Sequence, residues 1–170
     1  MKGDIAMINN RVEFSKKDFS LYNDFQKNID ICKRHIVEID NKCASVTSDQ
    51  NGDTEILEAT EIETIQKTMH EKCKQALAKA IIDDTLNMFI ISRTIELCAG
   101  VVDCNIHSAV FLTILHGMSQ EKAGDCIAYS RPQVSRFLSR FFENLECKKM
   151  YELAVEQSKE KFRNLTTHNS

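Results

Sequence analysis

Apolar residues recur every three or four positions along most of the chain, which is the spacing of one face of an α-helix. The predicted long helices cover residues 16–43, 55–82, 83–100 and 147–165, with a polar loop at about 44–54. Asp83 or Asp84 is the expected N-cap of the third helix, and Gly100 is its expected end. With one proline, five glycines and no alternating strand pattern, the chain is expected to be all-α.

Between the long helices, residues 104–146 contain start and stop signals for three short ones. Gly117 is suited to the left-handed residue that ends the first short helix. Ser119 is the expected N-cap of the second. Ser130 and Gln133 have the spacing of a capping box, which predicts the start of the third. The expected fold is therefore a helical N-terminal part followed by a tri-helical helix-turn-helix unit.

The third short helix, predicted over 130–145, has one apolar and one polar face. The apolar positions are Val134, Phe137, Leu138, Phe141 and Leu145. The polar positions are Pro132, Gln133, Ser135, Arg136, Ser139 and Arg140. Because arginine can donate two hydrogen bonds to guanine and glutamine can pair with adenine, the polar face suits base recognition in the major groove of duplex DNA.

The helix before it extends the predicted DNA-binding surface. The N-termini of the second and third short helices can each meet a phosphate through free backbone amides. The candidate DNA-binding residues are Ser119, Gln120, Lys122, Ser130, Arg131, Pro132, Gln133, Ser135, Arg136, Ser139 and Arg140.

The sequence of this helix pair resembles a known DNA-binding motif. The stretch from Gly117 to Leu138 reads GMSQEKAGDCIAYSRPQVSRFL and is similar to the helix-turn-helix pattern G-x-S-x-x-x-[IA]-A-x-x-L-G-[IV]-S-x-x-x-V-S-R. That pattern recurs in plasmid repressors of the KorA/TrfB kind, in fimbrial regulators of the PapB kind and in sigma-factor region 4. The resemblance covers about a quarter of the chain. It implies a sequence-specific transcription regulator of bacterial, plasmid or phage origin, acting in the cytoplasm at the nucleoid.

The resemblance also assigns roles to single positions. Gly124 takes the small position inside the second helix, Ala128 stands where the pattern has its turn glycine, and Val134 is the buried anchor. A left-handed turn at Ala128 is expected to cost roughly 1 kcal/mol or more. The base-facing positions of the pattern fall on Arg131, Pro132, Gln133, Ser135 and Arg136.

The charge distribution and the cysteine content further limit the classes of protein that the sequence suggests. The net charge is -3, but residues 1–106 carry 13 basic and 18 acidic side chains, whereas residues 107–170 carry 9 basic and 7 acidic ones. A mildly basic C-terminal half permits local DNA binding even though the whole chain has no net positive charge. The seven cysteines are odd in number and lack a Cys-x-x-Cys pair, which disfavours a disulfide framework or zinc module. They are expected to be reduced thiols of a cytosolic protein, several of them in the core.

Neither an enzyme nor a membrane protein is expected. The chain has no nucleophile elbow and no glycine-rich phosphate loop, so we expect no catalytic residues, no cofactor and no metal. It also has no apolar stretch of the ~20 residues that a membrane span requires, and no signal peptide is expected.

The expected organisation has four parts and a disordered end. These are a flexible N-terminus at 1–15, a dimerisation or interaction part at 16–100, the DNA-binding unit at 104–146, a C-terminal helix at 147–165, and disorder over 166–170. The expected partners are double-stranded DNA and a second copy bound through the N-terminal helices, with RNA polymerase as a further candidate. Two alternatives remain open: a helical protein-interaction adaptor, and a sigma-like factor that binds promoters only with RNA polymerase.

Overall fold

A computed structural model describes residues 11–46 and 56–167, with side chains over 11–44 and 63–163. Within these ranges the regular structure is entirely helical and no strand is formed, so the all-α prediction is confirmed. The α-helices are α1 (Lys16–Phe19), α2 (Tyr22–Val46), α3 (Ile56–Leu97), α4 (Cys104–Val110), α5 (Gln120–Ile127), α6 (Arg131–Glu143) and α7 (Leu145–Thr167). A 3₁₀ turn follows α3 at Cys98–Gly100, and a π-helical turn follows α4 at Phe111–Leu115.

The predicted division at Asp83 and Asp84 is wrong, because α3 runs through both residues without interruption. The stretch from 56 to 97 contains no glycine or proline, and an aspartate inside a helix costs less than ~1 kcal/mol relative to alanine. The buried stripe through Leu86 and Ile90 offsets that cost. Gly100 ends the 3₁₀ turn without adopting a positive φ.

The predicted helix at 16–43 is two helices. Ser15 caps α1 by accepting a hydrogen bond from the backbone N–H of Asp18 at 3.1 Å. The chain then turns at residues 20–21 before α2 begins. At its far end α2 continues to Val46, so the predicted loop starts later than expected, and the remainder of that loop lies outside the described residues.

The start of the described chain is packed, in contrast to the predicted flexible N-terminus. The Val12 side chain is buried, and its backbone N–H donates to Asn87 Oδ1 at 3.2 Å. The Tyr151 hydroxyl donates to the Val12 carbonyl at 2.7 Å, and burial raises the pKa of that phenol. Residues 1–10 lie outside the described range. At the other end, α7 includes 166 and 167, and the rest of the predicted disordered end is likewise not described.

The chain divides into two compact units. The first comprises residues up to 26 and from 83 onward, and its core joins α1, the end of α3, α4, α6 and α7. Edge-to-face and tilted aromatic contacts fill this core; they involve Phe14, Phe19, Phe141, Phe142 and Tyr151. This core anchors the inner face of α6.

The second unit covers residues 27–82 and contains parts of α2 and α3. The Cys43 thiol lies 3.0 Å from His70 Nδ1, and Lys74 Nζ lies 2.7 Å from Asp40 Oδ1. Moving backward along α2 therefore corresponds to moving forward along α3, so the two segments are antiparallel.

Candidate nucleic-acid interface

The residues from 104 to 143 form three packed helical segments, which we call the α4–α6 cluster. Ala109, Ala123 and Val134 are fully buried at its centre, one from each helix. Small residues on α4 and α5 allow the helices to approach closely around the Val134 side chain. The predicted anchor position of Val134 is thus buried, with no exposed surface.

The turn between α5 and α6 is tight, although alanine stands where the motif has glycine. Ala128 adopts φ 60° and ψ 40°, and it is the single non-glycine residue with positive φ in the described ranges. The Tyr129 N–H then donates to the Gly124 carbonyl at 2.9 Å. A Cβ at Gly124 would lie 2.3 Å from the Tyr129 carbonyl oxygen, which explains the small residue at that position.

Local capping fixes the start of both helices. The Ser119 hydroxyl accepts from the Lys122 N–H at 3.3 Å, and Gly117 ends the preceding segment at φ +63°. Ser130 and Gln133 form the predicted capping box. In it, the Gln133 side-chain carbonyl accepts from the Ser130 N–H at 3.0 Å and from its hydroxyl at 2.9 Å. Pro132 lies in the first turn of α6, where no N–H is required.

The two faces of α6 separate as predicted, except at its C-terminal end. Val134, Leu138 and Phe141 are buried, whereas Leu145 is 74% exposed and belongs to α7. The predicted helix to 145 is therefore too long. Asn144 adopts extended backbone angles and its Oδ1 caps α7, which redirects the chain before Leu145 can join the apolar face.

Most of the predicted DNA-binding residues are exposed on the α4–α6 cluster. Nine are exposed: Ser119, Lys122, Ser130, Arg131, Pro132, Gln133, Arg136, Ser139 and Arg140. Gln120 and Ser135 are half-buried. None of the eleven is fully buried, so every one has surface that a ligand can reach.

The arginines of α6 have no ion-pair partner among the described residues. Within the described ranges, no carboxylate forms an ion pair with Arg131, Arg136 or Arg140, and the first acid along α6 is Glu143. Some other cations of the first unit are paired, since Lys149 and Lys159 each form an ion pair with a glutamate one turn earlier. An unpaired, exposed guanidinium retains all five donors for an external acceptor.

A groove next to these arginines was not predicted. It has a volume of about 430 Å³ and is lined by Asp103, Cys104, Asn105, Ile106, Tyr129, Gln133, Arg136, Phe137 and Arg140. Asn105 Nδ2 donates to the Tyr129 hydroxyl at 2.9 Å across 24 positions of sequence. The signal available in the sequence was weak: Gln133, Arg136 and Arg140 share one side of a helix, but nothing local indicates that α4 faces them.

The cysteines and histidines show no sign of a metal centre. All seven cysteines lie in the described ranges, and all are free thiols; Cys32, Cys98 and Cys147 are buried, as predicted for several of them. A hydrogen bond with Cys147, together with burial, holds the pKa of the Cys98 thiol above its usual range. In the part of the chain described here, no three potential ligands come together.

Comparisons with known proteins do not assign the chain to a group: neither the models of protein families, nor the curated proteins, nor the solved structures match it. No helix in the described ranges is long and apolar enough to cross a membrane.

Proposed function

We propose that this protein is a sequence-specific transcription regulator that binds double-stranded DNA with α6 in the major groove. The observation that carries the proposal is the exposed face of α6, where Arg131, Arg136 and Arg140 have no ion-pair partner among the described residues. Three exposed cations without acids between them are suited to a polyanion.

The shape of the α4–α6 cluster supports this role. A helix of 13 residues is roughly 20 Å long, and the major groove is wide enough to admit it. The packing of α4, α5 and α6, with a turn of three residues before α6, supports an interpretation as a tri-helical helix-turn-helix unit. The resemblance of residues 117–138 to that motif agrees with this interpretation.

The positions along the helix pair suggest a division of labour. Arg131 and Gln133 lie in the first turn of α6, the part of a recognition helix that meets base edges. Ser119 and Lys122 lie at the start of α5, where free amides and a lysine are suited to a backbone phosphate. The first pair would therefore set sequence preference and the second pair would set position on the duplex.

We also propose that the protein binds DNA as a homodimer formed through the second unit. Ile65 and Met69 are each 60% exposed on α3, one helical turn apart. The occupant we propose is a second, antiparallel copy of this segment, because α3 changes charge along its length. Residues 58–63 carry three acids and no lysine, whereas residues 67–79 carry four lysines and one acid, so antiparallel copies bring opposite charges together. Two recognition helices would double the base contacts.

Fluorescence anisotropy with a labelled mixed-sequence duplex tests the DNA interface. We expect binding that weakens steeply as salt rises, because phosphate contacts release counterions. Replacing Arg136 by Gln is expected to weaken binding about tenfold. The matched control is Lys148→Gln, which removes an exposed cation without an ion pair from α7 and is expected to change affinity less than about twofold.

The other outcomes identify the rival functions. Folded protein that shows no salt-dependent binding would rule out autonomous DNA binding and favour a protein-interaction adaptor. Binding that appears only after RNA polymerase is added would instead support a sigma-like factor. Equal losses in the α6 variant and in Lys148→Gln would place the DNA elsewhere on the surface.

A further inference from the structure

The groove beside α6 has the volume of a binding site. Its volume of about 430 Å³ falls within the roughly 300–1,000 Å³ of typical small-molecule sites. One wall is the side of α6 that carries Gln133, Arg136 and Arg140. The rest of the lining includes the first turn of α4 and Tyr129 from the turn before α6.

The Tyr129 hydroxyl is a positioned donor at this groove. Its oxygen accepts a hydrogen bond from Asn105 Nδ2 at 2.9 Å, and its ring is held edge-on against Phe137 with centroids 5.0 Å apart. Within the described ranges, the hydroxyl hydrogen has no acceptor of its own. Because the oxygen and the ring are both held, the remaining donor can serve a ligand without a loss of side-chain freedom.

The arginines determine the charge of that ligand. Arg136 and Arg140 lie one turn apart on the groove wall, and neither has a carboxylate partner in the described part of the chain. Two planar guanidinium groups and a phenol hydrogen offer more donors than the two oxygens of a carboxylate can accept. A phosphate group, with three or four acceptor oxygens, matches this set better.

One acidic side chain that lines the groove is expected to repel a bound anion. Asp103 is exposed, lines the groove and forms no ion pair with either arginine. It precedes α4 as its N-cap residue, but its side chain makes no capping hydrogen bond. A carboxylate without a structural partner repels a bound phosphate, so its removal should strengthen binding.

We propose that this groove binds a phosphate group between Arg136 and Arg140, with the Tyr129 hydroxyl donating a third hydrogen bond. The phosphate belongs either to the DNA backbone, in which case the inference rests on the proposed function, or to a free phosphorylated small molecule. Both sources present the same tetrahedral anion, and they differ in whether duplex affinity depends on Tyr129.

The test is a nuclear magnetic resonance titration of the full chain with inorganic phosphate, at constant ionic strength set by chloride. We expect saturable shifts of the Asn105 side-chain amide and of the Tyr129 and Arg136 signals. Tyr129→Phe, which keeps the ring, should weaken phosphate binding about tenfold. Asp103→Asn, which keeps a good N-cap residue, should strengthen it several-fold. Lys148→Gln, which removes an exposed lysine of α7 outside the groove, should leave it unchanged.

Parallel duplex titrations of the same variants separate the two sources. If Tyr129→Phe weakens both phosphate and duplex binding, the ligand is a DNA phosphate; if it weakens phosphate binding alone, the ligand is a small phosphorylated molecule. A phosphate response that does not saturate, or that Lys148→Gln weakens as much as Tyr129→Phe does, would overturn phosphate binding in the groove. Duplex binding by the wild-type protein would still support the proposed function in that case. Saturable phosphate binding without duplex binding would support the groove as a phosphate site and overturn the proposed DNA-binding function.

Discussion

On α6 the exposed side chains include three arginines without carboxylate partners, whereas on α3 of the second unit they include Ile65 and Met69. One lysine of the same segment, Lys74, forms ion pairs with Asp40 and Glu71. The two regions therefore offer different contacts: α6 offers hydrogen-bond donors to an anion, and α3 of the second unit offers exposed apolar area. From this difference we infer that nucleic-acid binding and self-association are carried by separate parts of the chain.

The largest expected effect comes from charging the apolar face of the second unit. The double variant Ile65→Asp/Met69→Asp should weaken self-association at least about 100-fold, because it places carboxylates where apolar area would be buried. Sedimentation equilibrium over a range of protein concentrations measures the change. The control is Leu145→Asp, which charges another strongly exposed apolar residue, in the first unit. An equal effect of the control would remove the distinction between the two regions.

A smaller effect is expected from the tight helix packing of the α4–α6 cluster. Gly124→Ala should lower the free energy of unfolding by about 2 kcal/mol, because the new Cβ meets the Tyr129 carbonyl oxygen. Gly100→Ala is a matched control, since the Cβ that alanine would add there meets no atom within 4 Å and the φ of Gly100 is not positive. Urea denaturation followed by circular dichroism compares them. A Gly124→Ala protein as stable as the Gly100→Ala protein would contradict the close approach at this turn.

The smallest expected effect is a stabilisation of the fold. Ala128→Gly should raise the free energy of unfolding by about 1 kcal/mol, because glycine adopts the left-handed conformation without the strain that alanine carries there. Ala123→Gly, in the buried interior of α5, should lower it by about the same amount or more. Thermal unfolding of the two variants gives the comparison. Destabilisation by Ala128→Gly would mean that the turn is not strained.

The sequence predicted the starts of α5 and α6 correctly because their signals act over a few residues. The Ser119 cap, the Ser130–Gln133 capping box and the turn at Ala128 each involve neighbours within five positions. Helix periodicity then distinguished the inner and outer faces of α6. The end of α6 was placed too late, because the periodic pattern continued past Asn144 and concealed the cap of α7.

The features that were missed depend on contacts between distant residues. At the groove, Asn105 of α4 contacts Tyr129 in the turn before α6, and neither residue belongs to a sequence motif that predicts this contact. Similarly, Val12 is held by Asn87 and Tyr151, which lie 75 and 139 positions away. The undivided α3 was missed for another reason: Asp83 and Asp84 resemble a cap locally, but burial of the following apolar stripe favours a continuous helix.

The most direct test of the central proposal is selection of bound duplexes from a random DNA pool at near-physiological salt. The wild-type chain is compared with the double variant Arg131→Ala/Arg136→Ala, whose folding is checked by circular dichroism. We predict an enriched motif, palindromic if two copies bind together, that disappears in the double variant. No enrichment from folded wild-type protein, or the same motif from both proteins, would contradict recognition of DNA by α6.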